Sequence, residues 1–140
     1  MKDKVFFDTN LWVYLYSKDL VDKYSRINSV FSEKIQSLVI SSQVLGELYN
    51  VLVRKKLRTQ EQAREILSQL IDGFDILEID AQKVLDATGV NFRYGYSYWD
   101  SLIIATALQS KCSILYSEDM QHNQLIEDKL RIINPFIGQP

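Results

Sequence analysis

Val5-Phe6-Phe7-Asp8-Thr9-Asn10 is a short apolar run that stops on a carboxylate. Consecutive large apolar side chains with no polar residue between them read as a strand covered on both faces, the form strands take in a parallel sheet. The same form recurs at Leu38-Val39-Ile40, at Ile76-Leu77-Glu78-Ile79, at Ile114-Leu115-Tyr116 and at Arg131-Ile132-Ile133. Helical spacing fills the intervals. Residues 22–36 carry Tyr24, Ile27, Val30, Phe31 and Ile35. Residues 42–56 carry Val44, Leu45, Leu48, Val51 and Leu52, and residues 98–109 carry Leu102, Ile103, Ile104, Ala107 and Leu108. Thr59 with Gln62 forms a capping-box pattern for a helix that stops near Gly73, and Asp80 reads as the N-cap of the next one. Strands separated by helices imply βαβ units. The expected fold class is α/β, a central parallel sheet of four to five strands with helices on both faces. In such sheets ligands sit outside the carboxyl ends of the strands, which is where Asp8 stands.

Composition agrees with a globular chain. The 140 residues are 46% hydrophobic and 24% charged, enough for one core, and residues 1–140 are expected to form a single domain. No repeat or low-complexity tract breaks them. The opening Met1-Lys2-Asp3-Lys4 leads into an apolar run too short for a signal peptide. No segment approaches the roughly 20 apolar residues of a membrane span. Cys112 is the single cysteine, so no internal disulfide can form. The expectation is a cytoplasmic protein without a membrane partner. A net charge of −2 neither favours nor excludes nucleic acid, since a nuclease needs only a local basic surface.

Four acids stand where a surface acid has no reason to be. Asp8 follows the first strand, although Asp8 or Asn10 could simply cap a short helix. Glu47 lies three residues after Val44 and four before Val51, on or near an apolar stripe, unless it flanks the stripe and reaches solvent. Asp100 lies three before Ile103 and seven before Ala107, and it also completes a capping-box pattern with Ser97. Asp119, in Ser117-Glu118-Asp119, follows the strand at Ile114-Leu115-Tyr116, where an acidic surface loop is the plainer reading. As a set they can converge above one edge of a parallel sheet. Four unpaired carboxylates brought together repel and raise one another's pKa, and a divalent cation removes that penalty. An all-oxygen set suits magnesium or manganese, and such sites bind phosphates and activate water.

Other chemistries lack parts. His122 and Cys112 are the only residues of their kinds, so zinc ligation by His and Cys has no set to use. There is no Gly-x-Ser-x-Gly elbow, no phosphate-binding loop and no Gly-x-Gly-x-x-Gly. His122 reads as a local loop residue and Cys112 as a small packing residue.

Phe7-Asp8-Thr9-Asn10 resembles the opening motif of PIN-domain nucleases. Glu47, within Val44-Leu45-Gly46-Glu47-Leu48, is similar to that family's helical glutamate. Trp99-Asp100-Ser101-Leu102-Ile103-Ile104-Ala105-Thr106-Ala107 resembles its third acidic motif, and Leu115-Tyr116-Ser117-Glu118-Asp119-Met120 its fourth, continued by Gln121-His122. The resemblance runs along the whole chain in the family's order. It implies a three-layer fold, magnesium- or manganese-dependent phosphodiester hydrolysis and RNA as substrate. A stand-alone domain of this size resembles the toxins called VapC, which implies a homodimer held inactive by a small antitoxin. Many relatives carry glycine where this chain has Asn123, and asparagine tolerates positive φ.

The expected mechanism follows from the set. Asp8, Glu47, Asp100 and Asp119 hold one or two magnesium ions, while Asn10, Ser117 and Glu118 orient those ligands. Arg54, Lys55, Lys56 and Arg58 are candidate RNA contacts, although cations also suit a helix C-terminus. Tyr94, Tyr96, Tyr98 and Trp99 could stack on bases or pack an interface or the core, and Trp12, Tyr14 and Tyr16 raise the same question. Two rivals stand beside this reading. A phosphatase or receiver domain with an aspartyl nucleophile fails on Asn10, where the former needs a second aspartate, and on Asp80, which reads as a cap. A PIN-fold module that docks RNA or protein without cleaving is the alternative that keeps the same residues.

Overall fold

The computed structural model describes residues 3–138. The start and end of the expected 1–140 domain, Met1, Lys2, Gln139 and Pro140, lie outside the described residues. The chain runs β1 (Lys4–Phe7), α1 (Thr9–Tyr14), α2 (Val21–Lys34), a 3₁₀ turn (Ile35–Ser37), β2 (Leu38–Ser41), α3 (Ser42–Arg54), α4 (Gln60–Gly73) and β3 (Ile76–Leu77). It continues with α5 (Ala81–Tyr94), α6 (Tyr98–Gln109), β4 (Cys112–Tyr116), β5 (Leu125–Ile126) and β6 (Leu130–Ile133). The strands form one sheet in the order β3-β2-β1-β4-β6-β5.

Every neighbouring pair from β3 to β6 is parallel, as the uninterrupted apolar runs require. Val5, Phe6 and Phe7 are buried in β1, as are Leu38, Val39 and Ile40 in β2. β5 is a sixth strand that the apolar pattern does not announce. It pairs antiparallel with β6 through a tight return in which Glu127 and Asp128 take φ of 51° and 57°. Tight returns of this kind usually advertise themselves with Asn-Gly or Asp-Gly, and Glu-Asp does not. β3 is shorter than its run: Glu78 and Ile79 fall outside it.

The connections reverse at the centre of the sheet. From β1 the chain steps to β2 and β3 on one side, then returns past β1 to β4 and β6 on the other. Right-handed crossovers therefore put α1 to α4 on one face and α5 with α6 on the other. The helix contacts follow that division: α1 packs on α2 and α3, α3 on α4, and α5 on α6. The crevice between β1 and β4 is the topological switch point, where open α/β sheets bind ligands.

Local signals account for the helix ends. Thr59 and Gln62 make a reciprocal capping box at α4, and Asp80 caps α5 through the Lys83 N–H. α5 ends on Gly95 at φ 78°, a left-handed position that glycine takes without strain. α6 is buried on all sides from Ser101 to Ala107, which explains its lack of a polar face. α3 stops at Arg54, two residues short of the expected end, and Lys56 already sits at φ 58°.

Candidate active site

The switch point gathers the four acids. β1 delivers Asp8 at its carboxyl end, where the Asp8 N–H donates to the Tyr116 carbonyl (2.9 Å) and so ties the ends of β1 and β4 together. Asp8 does cap α1, its Oδ1 accepting the Thr9 N–H at 2.7 Å. Its other oxygen, Oδ2, accepts the Ser117 hydroxyl at 2.9 Å. One carboxylate thus caps the helix and lines the pocket. Glu47 stands in the second turn of α3, half-buried, and Asp100 in the first turn of α6, where Ser97 Oγ accepts its N–H at 3.2 Å. Asp119 follows β4 on an exposed turn. All four line one pocket of about 250 Å³ together with Thr9, Asn10 and Asn50.

The electrostatics of the pocket are those of crowded, partly dehydrated acids. Burial lifts the Asp8 carboxyl from its ordinary 3.8 to about 6, with the charges of Asp100 and Glu47 adding to the rise and the bonds from Ser117 and Thr9 opposing it. Asp100 is raised as well, first by burial and then by the charges of Asp119 and Glu47. Negative charge is thus held here against its own repulsion.

Neighbouring donors hold the acids in place. Asn10 Nδ2 donates to Asp119 Oδ2 at 3.0 Å. The Thr9 hydroxyl donates to Glu47 Oε1, and Gln43 Nε2 donates to Glu47 Oε2 at 3.1 Å. Of the three residues expected to orient the ligands, Asn10 and Ser117 touch Asp119 and Asp8. Glu118 does not touch any of the four. Its carboxylate takes the Tyr14 hydroxyl and an ion pair from Lys23, and Lys23 lies 4.1 Å from the centre of the Phe136 ring. The chain bends through Glu118 and Asp119, and the two carboxylates take separate partners, Tyr14 with Lys23 for the first and Asn10 for the second. Sequence reasoning missed Thr9 and Gln43. Thr9 follows an acid that already explains the turn, and Gln43 carries only the weak signal of standing four residues before Glu47 on one helix face. Among the described residues, no three acids, histidines or cysteines yet converge closely enough to hold one ion together. The carboxylates of Asp8, Glu47 and Asp119 are each bonded to a neighbouring donor instead.

The remaining candidates separate from the pocket. His122 Nδ1 accepts the Asn134 N–H at 2.9 Å, a local fastening of the C-terminal segment. Asn123 takes φ 68° and donates its N–H to the Ile132 carbonyl at 2.7 Å, so asparagine serves where a glycine would. The Tyr94 hydroxyl donates to Glu127 and the Tyr96 hydroxyl to Gln124, which commits both rings to holding the α5–α6 link against the β5 hairpin. Trp99 is 62% exposed, whereas Trp12 lies in the core. Arg54, Lys55 and Lys56 are exposed, and Arg58 lies over the Tyr16 ring with its Nη1 donating to the Leu57 carbonyl.

A family model of the PIN domain matches residues 5–126, and the chain belongs to the PIN domain family. Solved structures of low sequence identity share its fold. VapC20 of Mycobacterium tuberculosis, a toxin that cleaves the sarcin–ricin loop, is 19% identical with a TM-score of 0.70 over 83% of this chain and 90% of its own. A toxin–antitoxin complex from Klebsiella pneumoniae gives 20% identity and a TM-score of 0.70 over 95% of this chain and 98% of that one. FitAcB of Neisseria gonorrhoeae gives 17% and 0.62 over 95% and 99%. No curated protein is similar enough in sequence to match.

Proposed function

We propose that this PIN domain is a magnesium- or manganese-dependent endoribonuclease and the toxin of a toxin–antitoxin pair. The observation that carries the reading is the pocket at the β1–β4 switch point, lined by Asp8, Glu47, Asp100 and Asp119. The donor set fits a hard divalent ion: it is all oxygen, its four acids line one pocket, and burial pushes its most buried member up to about 6. The four acids would hold the ion, directly or through water, and the ion would supply Lewis acidity and a nucleophilic water. The chain's own part is positional. Ser117 and the Thr9 N–H fix Asp8, Asn10 holds Asp119, and Thr9 with Gln43 holds Glu47.

RNA is the proposed substrate, with Arg54, Lys55, Lys56 and Arg58 as contacts to its phosphates. The partners proposed are a cognate antitoxin and a second copy of this chain in a homodimer, since the structures of like fold include toxin–antitoxin complexes. The protein is proposed to work in the cytoplasm; no described helix is long and apolar enough to cross a membrane. The alternative, a PIN fold that docks RNA or protein without cutting it, draws on the acids being bonded to their own neighbours.

Cleavage of total cellular RNA by the purified protein, with magnesium, manganese or chelator, tests the reading. Fragments are expected only with metal, and Asp100→Asn should abolish them, a loss of several kcal/mol or on the order of a thousandfold, while the variant stays folded. Cleavage that survives in Asp100→Asn rejects the assignment. Absence of both cleavage and manganese binding favours the docking module.

A further inference from the structure

We infer that Gln43 is a positioning residue that couples Glu47 to the start of α6 and so sets the spacing of Glu47 and Asp100 for a divalent cation. This rests on the metal-dependent reading above. Gln43 lies in the first turn of α3, and its Nε2 donates twice: to Glu47 Oε2 at 3.1 Å and to the Trp99 backbone carbonyl at 3.1 Å. The second bond crosses from one face of the sheet's helices to the other, because α3 and α6 belong to different layers. Trp99 is the residue before Asp100. One amide group therefore holds the carboxylate of α3 and the peptide that carries the acid of α6.

The amide orientation is settled by chemistry. Turning it over would set Oε1 against a carboxylate oxygen and a carbonyl oxygen, three acceptors with no donor among them. In the orientation that donates, Oε1 is left buried with no hydrogen-bond partner. A buried acceptor without a donor is costly. The donor end thus serves Glu47 and Trp99 at the expense of the acceptor end. Thr9 bonds Oε1 of Glu47 and Gln43 bonds Oε2, so both oxygens of the carboxylate are held at the pocket. Donors on both oxygens also draw off part of the charge that Asp8 and Asp100 feel from Glu47.

Gln43→Met separates positioning from structure, because methionine keeps the length and the stem while removing both the donor and the orphaned acceptor. Manganese binding, read by calorimetry, should weaken about tenfold or more. Thermal unfolding in chelator should stay level or rise, since the unpaired buried oxygen has gone. A purely structural glutamine gives the reverse pair, an unfolding temperature that falls and an affinity that holds, and that result overturns the inference. The Glu47→Gln background supplies the second check. If Gln43 acts through Glu47, adding Gln43→Met there changes manganese affinity little, and full additivity overturns the inference. A wild-type protein that binds no manganese defeats the metal-dependent reading itself, an outcome distinct from wild-type binding that Gln43→Met leaves untouched.

Discussion

The two ends of α3 carry opposite charge and are built in opposite ways. Near its start, Glu47 is half-buried and clamped on both oxygens by Thr9 and Gln43, in a pocket whose acids are raised by burial and by one another. At its far end, Arg54 and Lys55 stand exposed, Lys56 turns the chain, and Arg58 rests on Tyr16. Among the described residues none of these four cations is in an ion pair. Charge held against its own repulsion, with donors arranged around it, marks a place where geometry matters to function. Charge left in water costs nothing to keep and is equally explained by the dipole at a helix C-terminus. The acidic end is therefore expected to respond to single substitutions in large steps, and the basic end in small ones.

Beyond the loss of cleavage in Asp100→Asn, the largest expected effect is on the pH dependence of the metal-free fold. Asp8 is raised in the folded state, so the fold binds its proton more tightly than the unfolded chain does. Stability linked to Asp8 is then fully present below the ordinary 3.8 and is lost as pH rises through about 6. The whole difference is at most about 3 kcal/mol, and roughly half of it falls between pH 7 and 5. In chelator, wild-type protein should be more stable at pH 5 than at pH 7, and Asp8→Asn should remove that share of the slope. Asparagine caps a helix as well as aspartate does, so the variant should fold and at pH 7 should exceed the wild type in stability. A wild-type stability that climbs as pH rises through 6, with Asp8→Asn unable to alter it, breaks the contrast between the two ends of α3.

A smaller effect belongs to Ser117. Its hydroxyl donates to Asp8 Oδ2 and accepts the Met120 N–H at 3.3 Å, all of it buried. Ser117→Ala should cost about 1–2 kcal/mol. It should also move the Asp8 titration above 6, because the lost bond favours the charged form. Carboxyl carbon chemical shifts followed against pH would report that midpoint directly, and a midpoint that falls would contradict the bonding scheme.

The architecture was legible because buried parallel strands are written as unbroken apolar runs, and the acids because they interrupt that grammar. Asp8 and Asp119 end strands, and Glu47 and Asp100 sit on helix faces that otherwise face inward. Less could be read where a residue's partner lies far along the chain. Thr9 and Gln43 are common residue types whose role appears only once α1, α3 and α6 are adjacent. Glu118 was expected to orient the ligands beside Asp119, yet Tyr14 and Lys23 claim its carboxylate. Tyr94 and Tyr96 were candidates for base stacking until Gln124 and Glu127, which flank β5, a strand without a sequence signature, proved to be their partners. Long-range pairing and a turn of uncommon composition are the two kinds of information that local pattern does not hold.

The smallest expected effect divides the basic end itself. Arg54 is seven residues after Glu47 and four after Asn50, so it shares their helix face, about 10 Å along the axis from Glu47 and about 6 Å from Asn50. Lys55 is turned by about 100° from that face. Arg58 is already engaged with Tyr16 and the Leu57 carbonyl. A phosphate backbone threaded across the acid pocket would meet Arg54 before the others. Arg54→Gln should weaken RNA binding by a few-fold and flatten its logarithmic salt dependence by about 0.7, the loss of one phosphate contact to a single strand. Lys55→Gln and Arg58→Gln should change the slope by less. Equal changes for all three would mean that the cluster acts as an unstructured field of charge, and no change for any would leave these cations the dipole-satisfying end of a helix. Either outcome keeps the acidic pocket intact, because the two ends of α3 share a helix axis but none of the bonds that position Glu47.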